Sequence, residues 1–231
     1  MTRRRVSNPL ALAVLGCLVE RPMHPYEIST TLRTRGKERS IKLNYGSLYS
    51  VVEALQKHGF ITAQETTREG RRPERTVYAV TAAGRAEFED WLAELLSTPT
   101  KEHSSLEAAL SLAAGLPPDE VARLLEERCL KLELELRAVG GAIDISREHG
   151  LPDLFLIETL FEHAMLAAEL EFVRTLAADI RSGALPGTSV WRRFHELLDT
   201  GMTFEQITSD PVGNLGEGAR AMLASDPPAP G

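Results

Sequence analysis

Helix-breaking residues divide the first 60 residues of the chain into three short segments in which apolar side chains recur at helical spacing. The breaks are at Pro22, Gly36 and Gly59. Each segment begins with a polar residue or a proline that favours a helix start, at Asn8-Pro9, at His24-Pro25 and at Asn44. The pattern therefore predicts three short helices, with the third over residues 44–58.

A strand pair follows the third helix. Phe60–Ala63 and Thr76–Val80 are rich in β-forming residues, and residues 68–74 between them are basic and contain a glycine and a proline. Thr81 then caps a linking helix over about residues 82–96. Three short helices and a hairpin with a basic tip predict a winged helix-turn-helix domain over residues 1–95.

The charge of the chain is distributed unevenly. The net charge of −7 combines 15 Lys+Arg and 7 Asp+Glu in residues 1–86 with 11 and 26 in the remainder, which gives +8 and −15. Such an asymmetry indicates a basic module for a polyanion joined to an acidic body. We expect the N-terminal domain to bind double-stranded DNA.

The second half of the sequence predicts helices only. Apolar residues recur at nearly heptad spacing from Val121 to Ile143, which suits a partner helix, and a further long helix spans about Asp153 to Ser182. We expect an all-helical dimerisation and effector domain over residues 104–182. An extension over residues 183–231, with a Pro/Ala/Gly ending, is expected to be at least partly disordered. The predicted fold class is mainly α.

The sequence gives no support for several classes of protein. No run of about 18 apolar residues predicts a membrane span. Cys17 and Cys129 are too few for a disulfide framework, and the six histidines lack metal-ligand spacing. No nucleophile, phosphate-binding or dinucleotide motif is present, so we expect neither an enzyme nor a cofactor. Arg3-Arg4-Arg5 before an apolar stretch resembles an export signal, but the stretch is short, and we expect a cytoplasmic protein.

Three groups of residues resemble the motifs of the PadR family of bacterial transcriptional regulators. Tyr45-Gly-Ser-Leu-Tyr49, a leucine at 55 and Gly59-Phe-Ile61 are similar to its recognition-helix signature. Pro25-Tyr-Glu-Ile28 resembles its preceding helix, and Gly70-Arg-Arg-Pro73 to Gly84 resembles its wing. Pro25, Ser47 and Ser50 depart from the Gly, Thr and Pro of the family pattern, and Ser50 makes the docking angle of the helix less defined.

The resemblance implies a homodimeric repressor that a ligand or another signal releases from a palindromic operator. The layout of the second half is similar to that of the longer members, which have an all-helical C-terminal domain. The alternative function from another class is a helical protein–protein adaptor whose winged helix no longer binds DNA. The basic charge of the first 86 residues argues against that alternative, because an adaptor has no need for it.

The residues that we expect to contact DNA lie at the start of the third helix, close to it, and in the wing. They are Tyr26, Lys42, Asn44, Tyr45, Ser47, Tyr49, Arg68, Arg71, Arg72 and Arg75. For Tyr49 a core position is an equal alternative, and for the wing arginines the alternative is a solvated loop. The tip of a basic hairpin can reach a minor groove or its phosphates.

The apolar faces of the C-terminal helices provide the predicted dimer interface. The dimerisation residues are Val121, Leu125, Leu132, Leu136, Ile157, Phe161 and Phe172. Trp91 is a candidate for lining an effector pocket, with packing on the linking helix as the alternative. We predict no metal site, and Cys129 fits a small buried hydrophobe better than a redox sensor.

Overall fold

The structure, a computed structural model, describes residues 6–38, 40–41, 45–67 and 75–223, of which residues 45, 65–67, 75 and 221–223 are described by their backbone alone. The chain forms two compact units, Met1–Glu102 and His103–Gly231. Unit 1 contains α1 (Pro9–Glu20), α2 (Pro25–Thr34), α3 (Tyr45–Lys57), β1 (Ile61–Thr67), β2 (Arg75–Val80) and α4 (Ala82–Ser97). Unit 2 contains α5 (Ser105–Ser111), α6 (Pro118–Glu148), α7 (Ile157–Ser182), α8 (Thr188–Asp199), α9 (Phe204–Ser209) and α10 (Pro211–Leu215), with 3-10 helices at Ala113–Gly115, Asp153–Phe155 and Glu217–Leu223.

Local hydrogen bonds explain where the helices of unit 1 begin. Asn8 Oδ1 accepts a hydrogen bond of 2.9 Å from the N–H of Leu10, and Pro9 occupies the first turn of α1. At α2, His24 Nδ1 accepts from the N–H of Tyr26, while Glu27 Oε2 accepts from the N–H of His24, both at 3.0 Å. This reciprocal pair is a capping box with a histidine in the place of the usual serine or threonine.

α1 lies at the centre of unit 1 and contacts α2, α3, α4 and β2. The core contains the buried faces of these helices, including Leu15, Ile28 and Leu55, together with Ile61 at the start of β1. β1 and β2 pair antiparallel from Ile61 opposite Val80 to Thr67 opposite Arg75, with a bulge between Ala63 and Glu65. The fold class predicted from the sequence, a mainly helical chain with an N-terminal winged helix-turn-helix, is confirmed.

Gly84 holds the wing against the linking helix. A Cβ atom at this position would lie 1.9 Å from the backbone carbonyl oxygen of Phe60, so no larger residue fits without moving the backbone that leads into β1. Thr81 Oγ1 donates to the carbonyl of Gly59 at 2.7 Å and accepts from the N–H of Gly84 at 3.0 Å. The first turn of α4 therefore fixes the end of α3 and the start of the wing.

The long helices α6 and α7 of unit 2 pack against each other along most of their length. Their shared core contains Val121, Leu125, Cys129 and Leu132 of α6, with Leu136 half-buried at its edge. On α7 the opposing residues are Leu170, Val173, Ala177 and Ile180. Ion pairs flank this core, between Arg128 and Glu169, Arg174 and Glu133, and Arg181 and Glu126.

One expectation about the second half needs correction, and another is covered only in part by the described residues. The partner helix of the Val121–Ile143 seam is α7 of the same chain, so Val121, Leu125 and Leu132 are enclosed in unit 2 and cannot be the surface that meets a second copy. Of the extension over residues 183–231, which we expect to be at least partly disordered, residues 224–231 lie outside the described residues, and that expectation stays a prediction. Residues 188–223 form α8, α9, α10 and a 3-10 helix around the buried side chains of Leu197, Ile207, Leu215 and Ala219. Among the described residues, no helix is both long and apolar enough to span a membrane.

Candidate nucleic-acid interface

α3 has one buried face and one open face. Leu48, Val52 and Leu55 are buried in the core of unit 1, while Tyr49 is 48 % exposed. Gly46 and Ser50 are exposed beside Tyr49, and Ser47 is half-buried. Tyr49 is therefore not a core residue, and the open face of α3 presents small polar groups and a phenol, which can approach base edges and phosphates.

Tyr26 stands on the first turn of α2, the helix that packs against α3, and is 56 % exposed. The capping box below it fixes the backbone of this turn. The N–H of His24 and the Arg21 guanidinium, both hydrogen-bonded to the Glu27 carboxylate, hold the pKa of that carboxyl below its usual range. Glu27 consequently stays ionised as a cap at neutral pH, and Tyr26 keeps a defined position at the helix start.

The start of α1 and the open side of α3 line a groove of about 480 Å³. Its polar groups are Asn8, Ser47 and Ser50, and its floor includes Val51 and Ala54. The hydroxyl of Ser50 donates to the carbonyl of Gly46 at 3.1 Å, so it is already engaged within α3. The sequence predicted a role for Ser47 but did not identify Asn8 as a neighbour of α3, because the contact joins residues far apart in the chain.

The other predicted DNA-contacting residues have less structural description. Lys42, Asn44, Arg68, Arg71 and Arg72 lie outside the described residues, and their roles remain predictions. Tyr45 is the first residue of α3. Arg75 is the first residue of β2 and pairs with Thr67, so residues 68–74 connect two paired strands.

Arginines near α1 and α2 engage carboxylates of the same unit. Arg35 binds Glu20 through two hydrogen bonds of 2.5 and 2.7 Å, and this pairing lowers the pKa of Glu20. Arg21 pairs with Glu27 and Arg33 with Glu38. Of the remaining Lys and Arg residues in the first 86 positions, most fall within segments 1–5, 37–42 and 68–75. The surplus positive charge of the domain thus belongs to the N-terminal arm, the segment before α3, and the wing.

For Trp91 the sequence left open packing on the linking helix or a place in an effector pocket. The side chain is only 5 % exposed and packs in the core of unit 1. Both cysteines are buried, and burial raises the pKa of each thiol. Cys129 accordingly behaves as a core residue. In the residues that the structure covers, no cluster of three or more metal-binding side chains occurs.

The predicted dimerisation residues separate into two groups. Those of α6 pack internally, whereas Ile157, Phe161 and Phe172 of α7 have more than half of their surface exposed. They belong to a stripe on the face of α7 opposite its core-facing side, at residues 157, 161, 165, 168 and 172. The apolar pattern of the sequence did not distinguish this face from the buried one.

α6 carries a second apolar stripe that was not predicted from the sequence. Leu130 and Leu134 are 63 % and 62 % exposed, and the same face continues through Ala138 and Gly141 to Ile145. The spacing of three and four residues matches that of the buried seam, since positions 134, 138, 141 and 145 each follow a seam position by two residues. The helical spacing of the second stripe was therefore present in the sequence, but the buried seam contains more apolar residues and was the pattern that we identified.

Comparison with known proteins gives the same fold. Residues 14–90 match the profile of the transcriptional regulator PadR-like family. The negative transcriptional regulator PadR of Bacillus subtilis (strain 168) is 24 % identical over 163 residues, which span 70 % of this chain and 88 % of the relative.

Solved structures of regulators resemble the chain over about three quarters of its length. The crystal structure of Bacillus subtilis PadR in complex with operator DNA has a TM-score of 0.60 at 21 % identity, over 75 % of this chain and 99 % of that one. The complex of the same regulator with p-coumaric acid has a TM-score of 0.60 at 18 % identity, over 74 % and 98 %. The Vibrio cholerae virulence activator AphA has a TM-score of 0.53 at 15 % identity, over 75 % and 98 %.

Proposed function

We propose that the chain, whose residues 14–90 match the PadR-like family of transcriptional regulators, binds a palindromic operator as a homodimer and represses transcription until a small molecule releases it. The open face of α3 reads the base sequence, and the wing and the N-terminal arm hold the phosphates. The protein acts in the cytoplasm, where its DNA is, and it needs no enzymatic activity for this role.

The observation that carries the proposal is the exposure of α3. Its apolar residues are buried, yet Tyr49 and neighbouring Tyr26 on α2 leave about half of their surfaces in solvent. Large aromatic side chains near the starts of two packed helices, in a segment (residues 1–86) with a net charge of +8, suit contact with nucleic acid. The B. subtilis relative has been solved with operator DNA, which supports the same use of this fold here.

The two outer stripes of unit 2 support the homodimer. The α6–α7 pair buries one apolar face of each helix internally and still exposes a second one, with Leu130 and Leu134 on α6 and Phe161 on α7. Exposed apolar side chains arranged in helical stripes favour helix–helix association. A second copy offers the same stripes, so a two-fold arrangement can cover both sides of the contact.

The small-molecule response rests on the relative that was solved with p-coumaric acid. The chain offers a cavity in unit 2, described below, that suits a ligand, whereas Trp91 packs in the core of unit 1.

The experiment that tests the proposal is enrichment of genomic DNA. Purified protein is incubated with fragments of the genome that encodes it, and the retained fragments are sequenced. We expect a small set of fragments that share an inverted repeat. Uniform retention of all fragments would leave only non-specific binding, and no retention would support the adaptor alternative.

A further inference from the structure

Unit 2 contains an apolar cavity of about 600 Å³ between α8 and the elements on either side of it. Its walls include Val190, Phe194 and Leu198 of α8, Phe204 of α9 and Leu215 of α10. Ala114 and Gly115 of the 3-10 helix before α6 close one side. The volume falls within the range of about 300–1,000 Å³ that is typical of small-molecule sites.

Two hydrogen bonds fix the wall of the cavity. Trp191 Nε1 donates to the carbonyl of Leu116 at 2.8 Å. His195 Nε2 lies 2.9 Å from the carbonyl of Ala114, and because a carbonyl can only accept, Nε2 carries the proton. Both bonds attach α8 to the chain just before α6. The cavity is thus formed in advance by the fold and does not depend on a ligand for its shape.

The described lining is mainly apolar, with several aromatic rings. Phe194 meets Phe204 with ring centroids 5.7 Å apart and His195 with centroids 5.8 Å apart, both in edge-to-face geometry. Among the described residues that line the cavity, none is Lys, Arg, Asp or Glu. Burying a carboxylate or an ammonium group without a partner is costly, so the site selects against charged ligands.

Phe204 lies where the cavity opens to solvent. Its ring meets Phe194 edge-to-face at the cavity wall and is still 64 % exposed. A ligand can therefore reach the cavity from solvent at this side.

We infer that this cavity is a binding site for a neutral, aromatic small molecule. The aromatic rings supply stacking and edge contacts, and the described lining contains no Lys or Arg that would pair with the carboxylate of an organic acid. The site deepens the ligand response proposed above and rests on it for its biological role. Its test involves no DNA, so the binding site and the DNA-binding function can fail separately.

The test uses two fluorescent probes of similar ring structure on the full chain. N-phenyl-1-naphthylamine is neutral, and 1-anilinonaphthalene-8-sulfonate is an anion. We expect the neutral probe to bind at least about tenfold more tightly. Equal affinity, or tighter binding of the anion, would overturn the inferred ligand class.

Two leucine substitutions test the location. An added Cβ meets nothing within 4 Å at Gly115, which lines the cavity. Gly115→Leu should fill the cavity and weaken binding of the neutral probe by at least about tenfold. Ala86→Leu adds a leucine at an exposed position of α4, which does not line the cavity, and this control should bind as the unmodified protein does. Equal effects of the two substitutions would place the probe elsewhere.

A third measurement keeps the inference testable if Gly115→Leu does not fold. The chain has two tryptophans, Trp191 at the cavity and Trp91 in the core of unit 1. With 5-fluorotryptophan incorporated, the full chain gives two fluorine resonances, which Trp191→Phe assigns. The neutral probe should shift the Trp191 resonance and leave that of Trp91 unchanged. A shift of Trp91 alone, or of neither, would contradict the inference.

Discussion

Ser47 and Ser50 lie one turn apart on α3 and differ in what their hydroxyls do. Ser50 donates to the carbonyl of Gly46, whereas Ser47 lies at the groove between α1 and α3. Ser47 also occupies the first turn of the helix, where side chains of a recognition helix reach base edges. At the residue scale, we therefore expect recognition of the DNA base sequence to depend on Ser47 and its exposed neighbour Tyr49.

Ser47→Ala should reduce the preference for operator over scrambled DNA by about 1 kcal/mol, or about fivefold, because the alanine cannot hydrogen-bond a base edge. Non-specific affinity should change little, since no charge is removed. Competition binding measures both quantities. Ser50→Ala is the matched control and should keep the preference, because its hydroxyl is engaged within the helix. An equal fall in specific and non-specific affinity for Ser47→Ala would make Ser47 a phosphate contact.

At the scale of elements, α6 has two apolar faces with different surroundings. Its inner seam, with Leu125 at the centre, packs on α7 of the same chain, and its outer stripe, with Leu130, faces solvent in the single chain. Both residues are leucines on the same helix, within six positions of each other. Substitutions at these two residues therefore test the packed face of α6 and its exposed face separately.

Leu125→Ala should lower the free energy of unfolding of unit 2 by about 2–5 kcal/mol, the usual cost of removing a large side chain from a packed core. Leu130→Ala, the control, should lower it far less when unfolding is measured at a concentration where the protein is monomeric. Chemical denaturation followed by circular dichroism provides the comparison. Similar losses for both variants would mean that the inner seam is not the core of this unit.

We expect the wing to contribute to DNA binding through its charge. Arg71→Ala together with Arg72→Ala should weaken binding to all DNA sequences and reduce the slope of log K against log salt by ~0.9 for each phosphate that the variant no longer neutralises. Arg192→Ala with Arg193→Ala removes an adjacent arginine pair from α8, where both side chains bind carboxylates of unit 2, and serves as the control. An unchanged salt slope in the wing variant would mean that these arginines belong to a solvated loop and neutralise no phosphate.

Local signals made unit 1 predictable. Asn8, His24 and Thr81 each cap a helix where the sequence indicated one, and the hairpin follows α3 as expected. The buried and exposed faces of α3 are also the predicted ones, because the spacing of its apolar residues places them on one side of the helix and leaves the other side exposed. The burial of Trp91 could not be predicted, because the pattern of α4 does not show which elements cover this side chain.

The partner of the α6 seam could not be predicted for a different reason. A heptad pattern indicates that a helix needs a partner, but not whether that partner belongs to the same chain. The segment after residue 183 shows a further limit. α9 and α10 have only 6 and 5 residues, too short for helical periodicity to stand out, and they depend on the core around Ile207 and Leu215.

At the scale of the whole molecule, the chain combines a basic DNA-binding unit with an acidic helical unit that still exposes apolar stripes. Dimerisation through these stripes would carry two copies of α3 to one operator. Phe161 is the most exposed aromatic residue of α7, at 67 %, so a charge there should be tolerated by the single chain and not by an interface.

Phe161→Asp should convert the dimer to a monomer in sedimentation equilibrium and reduce operator affinity, because each half-site is then bound independently. Phe161→Leu keeps an apolar side chain and should remain dimeric. A dimer that persists with aspartate at this position would exclude the α7 stripe from the interface.

The most direct test of sequence-specific recognition by α3 is a ratio of two affinities, measured at one salt concentration. One is the affinity for DNA that carries the enriched inverted repeat, and the other is the affinity for the same DNA with the repeat scrambled. We expect a ratio of about a thousandfold or more, with protected half-sites ~34 Å apart in a footprint. A ratio near one would contradict sequence-specific recognition by α3, whatever the total affinity for DNA.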